Sequence, residues 1–232
     1  MALVKYGAGV VQASGSIGGT TFSRNRFGNY MRAKTKPVNP ASAGQGEVRT
    51  SMSFLVEAWN ATLTAAQRIA WNSYGSAVAM KNRLGETIYL TGFNHFIRAN
   101  SWLKRNAKTI IAAGPTALVL PEQDPVFSIA ASAASGDITI TYDDTLAWDN
   151  ETGGYLIVYQ GTPQAATRNF FNGPWRQLGN IPGETGTPVA SPQDLSAVFT
   201  LVAGQKIWCY ARIIRSDGRM SNPFAVSAIV GA

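Results

Sequence analysis

The hydrophobic period of this chain changes once, in a passage that ordinary helices and strands tolerate poorly. Ile110–Pro125 carries Gly114, Pro115, Pro121 and Pro125. Ahead of it apolar residues recur at helical spacing, and beyond it they alternate with a period of two. A chain that switches period at such a passage is built from two different kinds of layer. Its 232 residues are enough for one large domain or two small ones. The class expected is α+β. It divides into an extended basic arm with a β-hairpin over 1–45, a small helical module over 46–113, a linker over 114–125 and an antiparallel β-sandwich over 126–232.

In the helical part Val48, Met52, Leu55, Val56 and Trp59 fall on one stripe. Gly44 and Gly46 weaken the first turn, so the helix is expected to begin near Gly46. Thr64-x-x-Gln67 fits a capping box and opens a second helix that ends at Gly75. The short link between them implies an antiparallel pair. Ala77–Met80 and Thr87–Leu90 read as short strands, and Thr91 caps a third helix running to about Ala107. Its stripe is Phe93, Phe96, Ile97 and Leu103. Asn100 lies in that stripe, either buried and hydrogen-bonded or at its edge. Another face carries His95, Arg98, Trp102 and Arg105. Trp102 among cations either anchors a partner or packs on a neighbouring strand of the same chain.

Beyond the passage seven segments alternate as strands do: Phe127–Ala131, Asp137–Tyr142, Tyr155–Tyr159, Trp175–Ile181, Ala197–Leu201, Ile207–Ile214 and Ala225–Val230. That number of short strands, separated by glycine turns, is the count of a β-sandwich. Cys209, the only cysteine, falls on the inward face of its strand and reads as a small buried hydrophobe. A lone cysteine excludes an intrachain disulfide and a cysteine-based metal centre.

Charge is unevenly spread within a net +7. Residues 1–46 hold six Lys/Arg and no Asp/Glu, residues 47–113 hold eight and three, and residues 114–232 hold six and ten. Thr20–Arg24 and Asn29–Lys34 are β-prone around a turn at Asn25–Gly28, which predicts a hairpin with basic edges. Its candidate partner-binding residues are Arg24, Arg26, Phe27, Tyr30, Arg32, Lys34 and Lys36, with Trp102 in the third helix. The cations would meet carboxylates of a neighbouring protein and the aromatics would be buried at the contact. The plainer alternative is a solvated hairpin packed on its own domain.

Two resemblances follow from particular runs. GQKIWCYARIIRSDGRMSNPFAVSAIV resembles the final hairpin of an immunoglobulin-like or fibronectin type III module, which implies an Ig/fibronectin III-like β-sandwich over Phe127–Val230. SGSIGGTTFSRNRFGNYMRAKTKPVNP, TLTAAQRIAWNSYG and TGFNHFIRAN together resemble a module of tailed-bacteriophage structural proteins. That second resemblance implies a non-enzymatic virion component, made in the bacterial host cytoplasm. Its partners would be other capsid or tail subunits, and it would self-associate in a symmetric assembly.

A capsid-associated decoration or reinforcing role is favoured over a tail or baseplate role. The arm is expected to be free before assembly. Nucleic-acid binding by the arm is the second class, with Phe27 and Tyr30 stacking on bases. Host-glycan binding through exposed Trp148, Phe170, Phe171 and Trp175 is the third. No cofactor or metal is expected. The single histidine, His95, reads as a helix-surface residue, and Asp143, Asp144, Asp149 and Glu151 as a solvated acidic loop rather than a Ca²⁺ site. No apolar run approaches a membrane span, and MALVKYGAGVVQAS is too broken by Gly7 and Gly9 to read as a signal peptide.

Overall fold

A computed structural model describes residues 2–232. Four strands open the chain: β1 (Ala2–Val4), β2 (Gly15–Ile17), β3 (Thr20–Asn25) and β4 (Gly28–Ala33). They form an antiparallel sheet in the order β1-β4-β3-β2. The expected hairpin is β3–β4, closed at Asn25 opposite Gly28 with Arg26 and Phe27 at the tip. Asn25 Oδ1 accepts from the Phe27 amide at 2.9 Å and holds the turn. Gly18 and Gly19 join β2 to β3 with φ of 52° and 80°. Two successive positive φ values make the mirror-image turn that suits a twisted hairpin and favours glycine.

Three helices follow: α1 (Ala43–Glu57), α2 (Ala65–Ala77) and α3 (Gly92–Arg105), with the short hairpin β5 (Ala79–Lys81) and β6 (Thr87–Tyr89) before α3. α1 starts ahead of Gly46 because Ser42 caps it, its hydroxyl accepting from Gln45 N. It runs into a π-helical turn at Ala58–Thr62. The capping box of α2 is complete: Thr64 N donates to Gln67 Oε1 at 2.9 Å and Gln67 N donates to Thr64 Oγ1 at 3.3 Å. α2 passes through Gly75 instead of ending there. A Cβ at Gly75 would lie 2.7 Å from Leu90 O, and one at Gly92 would lie 2.5 Å from the Trp71 backbone carbon. These two glycines let the start of α3 cross α2 in backbone contact.

The helical core is Leu55, Ala58, Leu63, Trp71, Tyr74, Val78, Phe96 and Ala99. The irregular passage after α3 is packed on it through Ile110, Ile111, Ala112 and Leu120. Trp71 Nε1 donates to Ala112 O at 3.0 Å. Asn100 is fully buried, which decides between its two readings. Its amide donates to Ile111 O at 3.1 Å and its oxygen accepts from Ile111 N at 2.6 Å.

The rest is one seven-stranded sheet of β7 (Ser128–Ser132), β8 (Asp137–Thr141), β9 (Tyr155–Gly161), β10 (Trp175–Pro182), β11 (Gln193–Ser196), β12 (Lys206–Ile214) and β13 (Phe224–Gly231). The order is β10-β9-β12-β13-β7-β8-β11. Ile138 and Ile140 of β8, Leu156 and Val158 of β9 and Ile207, Cys209, Ala211 and Ile213 of β12 share one buried core. Cys209 is buried there as expected.

Two expectations are corrected. The pairing is not wholly antiparallel, since β13 meets β7 in parallel through Val230–Ala131 and Gly231–Ser132. The strand expected at Ala197–Leu201 lies earlier, at β11. There Asp194 accepts from Thr139 Oγ1 at 2.6 Å across the ladder. Buried Gln160 then takes the Val198 amide at 2.8 Å and draws the backbone out of the sheet.

α3 lies on the outer face of β9, β10 and β12. Trp102 and Leu103 pack with Ile157, Ile214 and Met220. Arg98 donates from both terminal nitrogens, to Met220 O at 2.5 Å and Ser221 O at 2.6 Å. Asn100→Leu keeps the volume but strands the Ile111 amide and carbonyl. The expected loss is about 3 kcal/mol in urea unfolding, summed over two buried polar groups; a variant as stable as the parent would contradict this role.

Candidate functional site

No residue from 2 to 50 is buried, although this stretch contains a complete four-stranded sheet. A small sheet is stabilised when one face is covered, so the exposed faces define the candidate site. Register assigns them. Met31 lies opposite both Ala2 and Phe22, and Asn29 opposite both Val4 and Arg24. One face therefore carries Ala2, Val4, Phe22, Arg24, Asn29 and Met31. The other carries Leu3, Ser23, Tyr30 and Arg32, since Tyr30 lies opposite Leu3 and Ser23.

The fold does not gather the seven arm residues into one patch. Arg24 lies on the more apolar face, and Tyr30 and Arg32 lie on the other. Arg26 and Phe27 sit at the tip, while Lys34 and Lys36 are exposed on the extended exit. The tip rests on the β5–β6 hairpin. Phe27, Gly28 and Asn29 line a cleft of about 360 Å³ with Asn82, Leu84 and Glu86. Lys5 pairs with Glu86 beside it. Hydrogen bonds from Lys5 and Asn82 hold the Glu86 carboxyl below its usual range. Among the described residues Arg24, Arg26, Arg32, Lys34 and Lys36 form no ion pair.

Trp102 is not part of this surface. It is 4% exposed, its Nε1 donates to Gln177 Oε1 at 3.2 Å and its ring lies 5.2 Å from that of Tyr155. The tryptophan anchors the chain to itself. The expected core stripe of α1 is also turned. Leu55 is buried, but Val48, Met52 and Val56 remain 44%, 42% and 36% exposed. α1 seats itself through Ser51 and Leu55, and Ala58 continues that contact into the π-helical turn. It leaves the neighbouring apolar stripe in solvent.

The remaining candidates separate. His95 is buried, not on the helix surface, with its ring 4.8 Å from Tyr74. Burial, and then Arg98, depress its pKa to about 4. The four acidic residues do not converge. Asp143 accepts from Thr145, Asp144 from the Ser191 amide, and Glu151 is bidentate with Arg215 at 2.5 and 2.9 Å. Among the described residues no three His, Cys, Asp or Glu side chains lie together as metal ligands.

Asp149 is fully buried, and burial followed by Asp144 raises its pKa to about 6 against an opposing contact from the Val189 backbone. Trp148 is core, 1% exposed, whereas Phe170 is 67% exposed. Phe171 and Trp175 are half-buried and touch edge to face. Among the described residues no helix is long and apolar enough to cross a membrane. No protein-family model matches the chain, and no curated protein matches it.

Asp149 and His95 pull stability in opposite directions below neutral pH. Between about 6 and 3.8 folded Asp149 keeps a proton that the unfolded chain releases, so its contribution grows as pH falls. Between 6.5 and about 4 the unfolded chain protonates His95 and the folded chain does not, so that contribution shrinks as pH falls. Asp149→Asn should therefore be more stable than the parent above pH 6, and the advantage should vanish near pH 4. Urea unfolding at a series of pH values measures it; an advantage independent of pH would contradict the assignment.

Proposed function

We propose that this protein is a non-enzymatic structural component of a tailed-phage virion, docked on neighbouring subunits through its N-terminal sheet. The observation that carries the reading is a four-stranded sheet with no buried residue of its own. It has a more apolar face, and together with its exit it carries five cations in no ion pair among the described residues and no acidic side chain. Such a sheet gains its missing burial when a neighbour covers it. Its outer strands, β1 and β2, are short edges suited to pairing with another sheet. The cations would meet carboxylates of the neighbour, and weak single contacts would add up in a repeated lattice. The exposed Val48–Met52–Val56 stripe of α1 is a second apolar strip without cover. The resemblance of this region to phage structural modules supplies the virion setting, and a capsid-associated decoration or reinforcing role is the form proposed.

A non-enzymatic role is supported by where the reactive side chains are used. His95 is buried against Tyr74, and Cys209 is buried with its thiol pushed up to about 12. The seven-stranded sheet is proposed as an Ig/fibronectin III-like sandwich. Its first, second and fifth strands, β7, β8 and β11, pair in succession, as do β9, β12 and β13, the third, sixth and seventh. This is the division of A, B and E from C, F and G in that architecture. β10 pairs with β9 and so takes the place of an added strand on the second layer.

Co-sedimentation with emptied phage shells and, separately, with tails tests the reading. The full chain should saturate shells at a copy number set by their symmetry, and a chain lacking residues 1–40 should not bind. Binding to tails alone would move the protein to the tail, and binding to neither would refute a virion role. Limited proteolysis of the free protein should cut within residues 1–45 before the helices or the large sheet. Equal resistance along the chain would refute an arm that is ordered by its neighbour.

A further inference from the structure

A second surface, remote in sequence from the arm, carries unpaired positive charge beside fixed aromatic rings. The β5–β6 hairpin stands over the outer face of β10 and β12, and between them lies an open groove of about 670 Å³. Lys81 and Arg83 form one wall, Trp175, Tyr210 and Arg212 the other, with Asn172 at one side. That volume is in the range of small-ligand sites. The rings are held by their neighbours. Trp175 and Tyr210 meet at 88° with centroids 4.9 Å apart, and Tyr159 stacks on Tyr210 at 4.6 Å.

The cations have no counter-charge. Among the described residues none of Lys81, Arg83 and Arg212 is in an ion pair. Arg212 Nε is buried without a partner, and Nη1 meets only the Met220 sulfur at 3.5 Å. Arg98 lies close behind and spends its guanidinium on two carbonyls. Burial, and then Arg212, lower its pKa to about 10. Two guanidinium groups close together without a carboxylate favour entry of an anion.

We propose that this groove binds a saccharide that carries a carboxylate. A guanidinium fork matches a carboxylate in two parallel hydrogen bonds. The Asn172 amide offers both a donor and an acceptor, which hydroxyl groups require. The fixed rings offer an apolar wall to the sugar's C–H face. Single-stranded nucleic acid fits less well. Successive bases need ring faces arranged as a platform, and here the two lining rings meet at right angles. Residues 114–232 also hold ten acidic and six basic side chains, which repels a long polyanion leaving the groove. This site does not depend on the arm or on a virion setting.

The test uses the full chain and two acidic probes, tetragalacturonate and a hyaluronan tetrasaccharide, with maltotetraose and oligothymidylate as controls. Calorimetry should show saturable binding of at least one acidic probe and none of maltotetraose. Arg83 is exposed on the hairpin, so Arg83→Gln leaves the fold intact. It should weaken binding about tenfold, the order of one charge-assisted hydrogen bond. Trp175→Ala should weaken it also, with an unchanged near-ultraviolet signal from the core tryptophans as the folding control. Failure of both acidic probes to bind at about 1 mM would overturn the proposal. So would Arg83→Gln binding as tightly as the parent, or oligothymidylate binding more tightly through the same two residues.

Discussion

Everything past the arm depends on α3 serving as a hydrogen-bonding rail for backbone that has no ladder. The passage from Asn106 to Phe127 forms no helix or strand, and its buried amides and carbonyls still need partners. Asn100 satisfies both backbone groups of Ile111. Two residues earlier, on the other side of the helix, Arg98 satisfies the carbonyls of Met220 and Ser221 at the far end of the β12–β13 turn. Gly218 in that turn comes so close to Trp71 that a Cβ there would lie 2.8 Å from the indole ring. A helix that grips its own exit on one side and the sheet on the other fixes the angle between them. The β5–β6 hairpin, which leads into α3, is thereby held over the outer face of the sheet.

The N-terminal sheet has the opposite character. Its backbone is paired in four strands, yet none of its residues is fully buried, and Leu3, Val4, Phe22 and Tyr30 are only partly covered. Hydrogen bonding alone contributes little net stability, because the unfolded chain bonds equally to water. A segment of this kind opens at low free energy and is the natural part of the chain for a contact made on assembly. Among the described residues it is tied to the β5–β6 hairpin by the Lys5–Glu86 pair and the cleft around Phe27.

What could be read from the sequence was what short-range chemistry decides. The capping threonines Thr64 and Thr91, the β3–β4 hairpin and six of the seven large-sheet strands follow from spacing and turn residues within a few positions. The errors arose where a distant segment intervened. Gln160 moves β11, and Gly75 serves a helix crossing instead of a helix end. α3 is apolar on one stripe but buried on two, because the sheet and its β12–β13 turn cover Trp102 and Arg98 while Tyr74 of α2 covers His95. Periodicity reports one buried face and cannot report a second made of polar and aromatic residues. The groove was invisible for a similar reason, since Lys81 and Arg83 meet Trp175 and Arg212 only through the tertiary fold.

The charge distribution takes on a different meaning once partners are assigned. Residues 47–113 carry an excess of cations, but most of them are used within the chain. Arg68 donates to the carbonyls of Trp59 and Asn60, Lys104 lies 3.6 Å over the Phe54 ring, and Arg105 pairs with Glu47. Arg98 is committed to the β12–β13 turn. In this part the cations left without such partners include Arg83, and Lys81 holds only a threonine hydroxyl. Net charge by segment therefore overstates how much of the middle of the chain is offered to a partner. Ahead of the large sheet, the cations in no ion pair among the described residues include five on the arm and its exit and Lys81 and Arg83 on the β5–β6 hairpin. Both places lie away from the buried core, and the carboxylate between them, Glu86, is taken by Lys5.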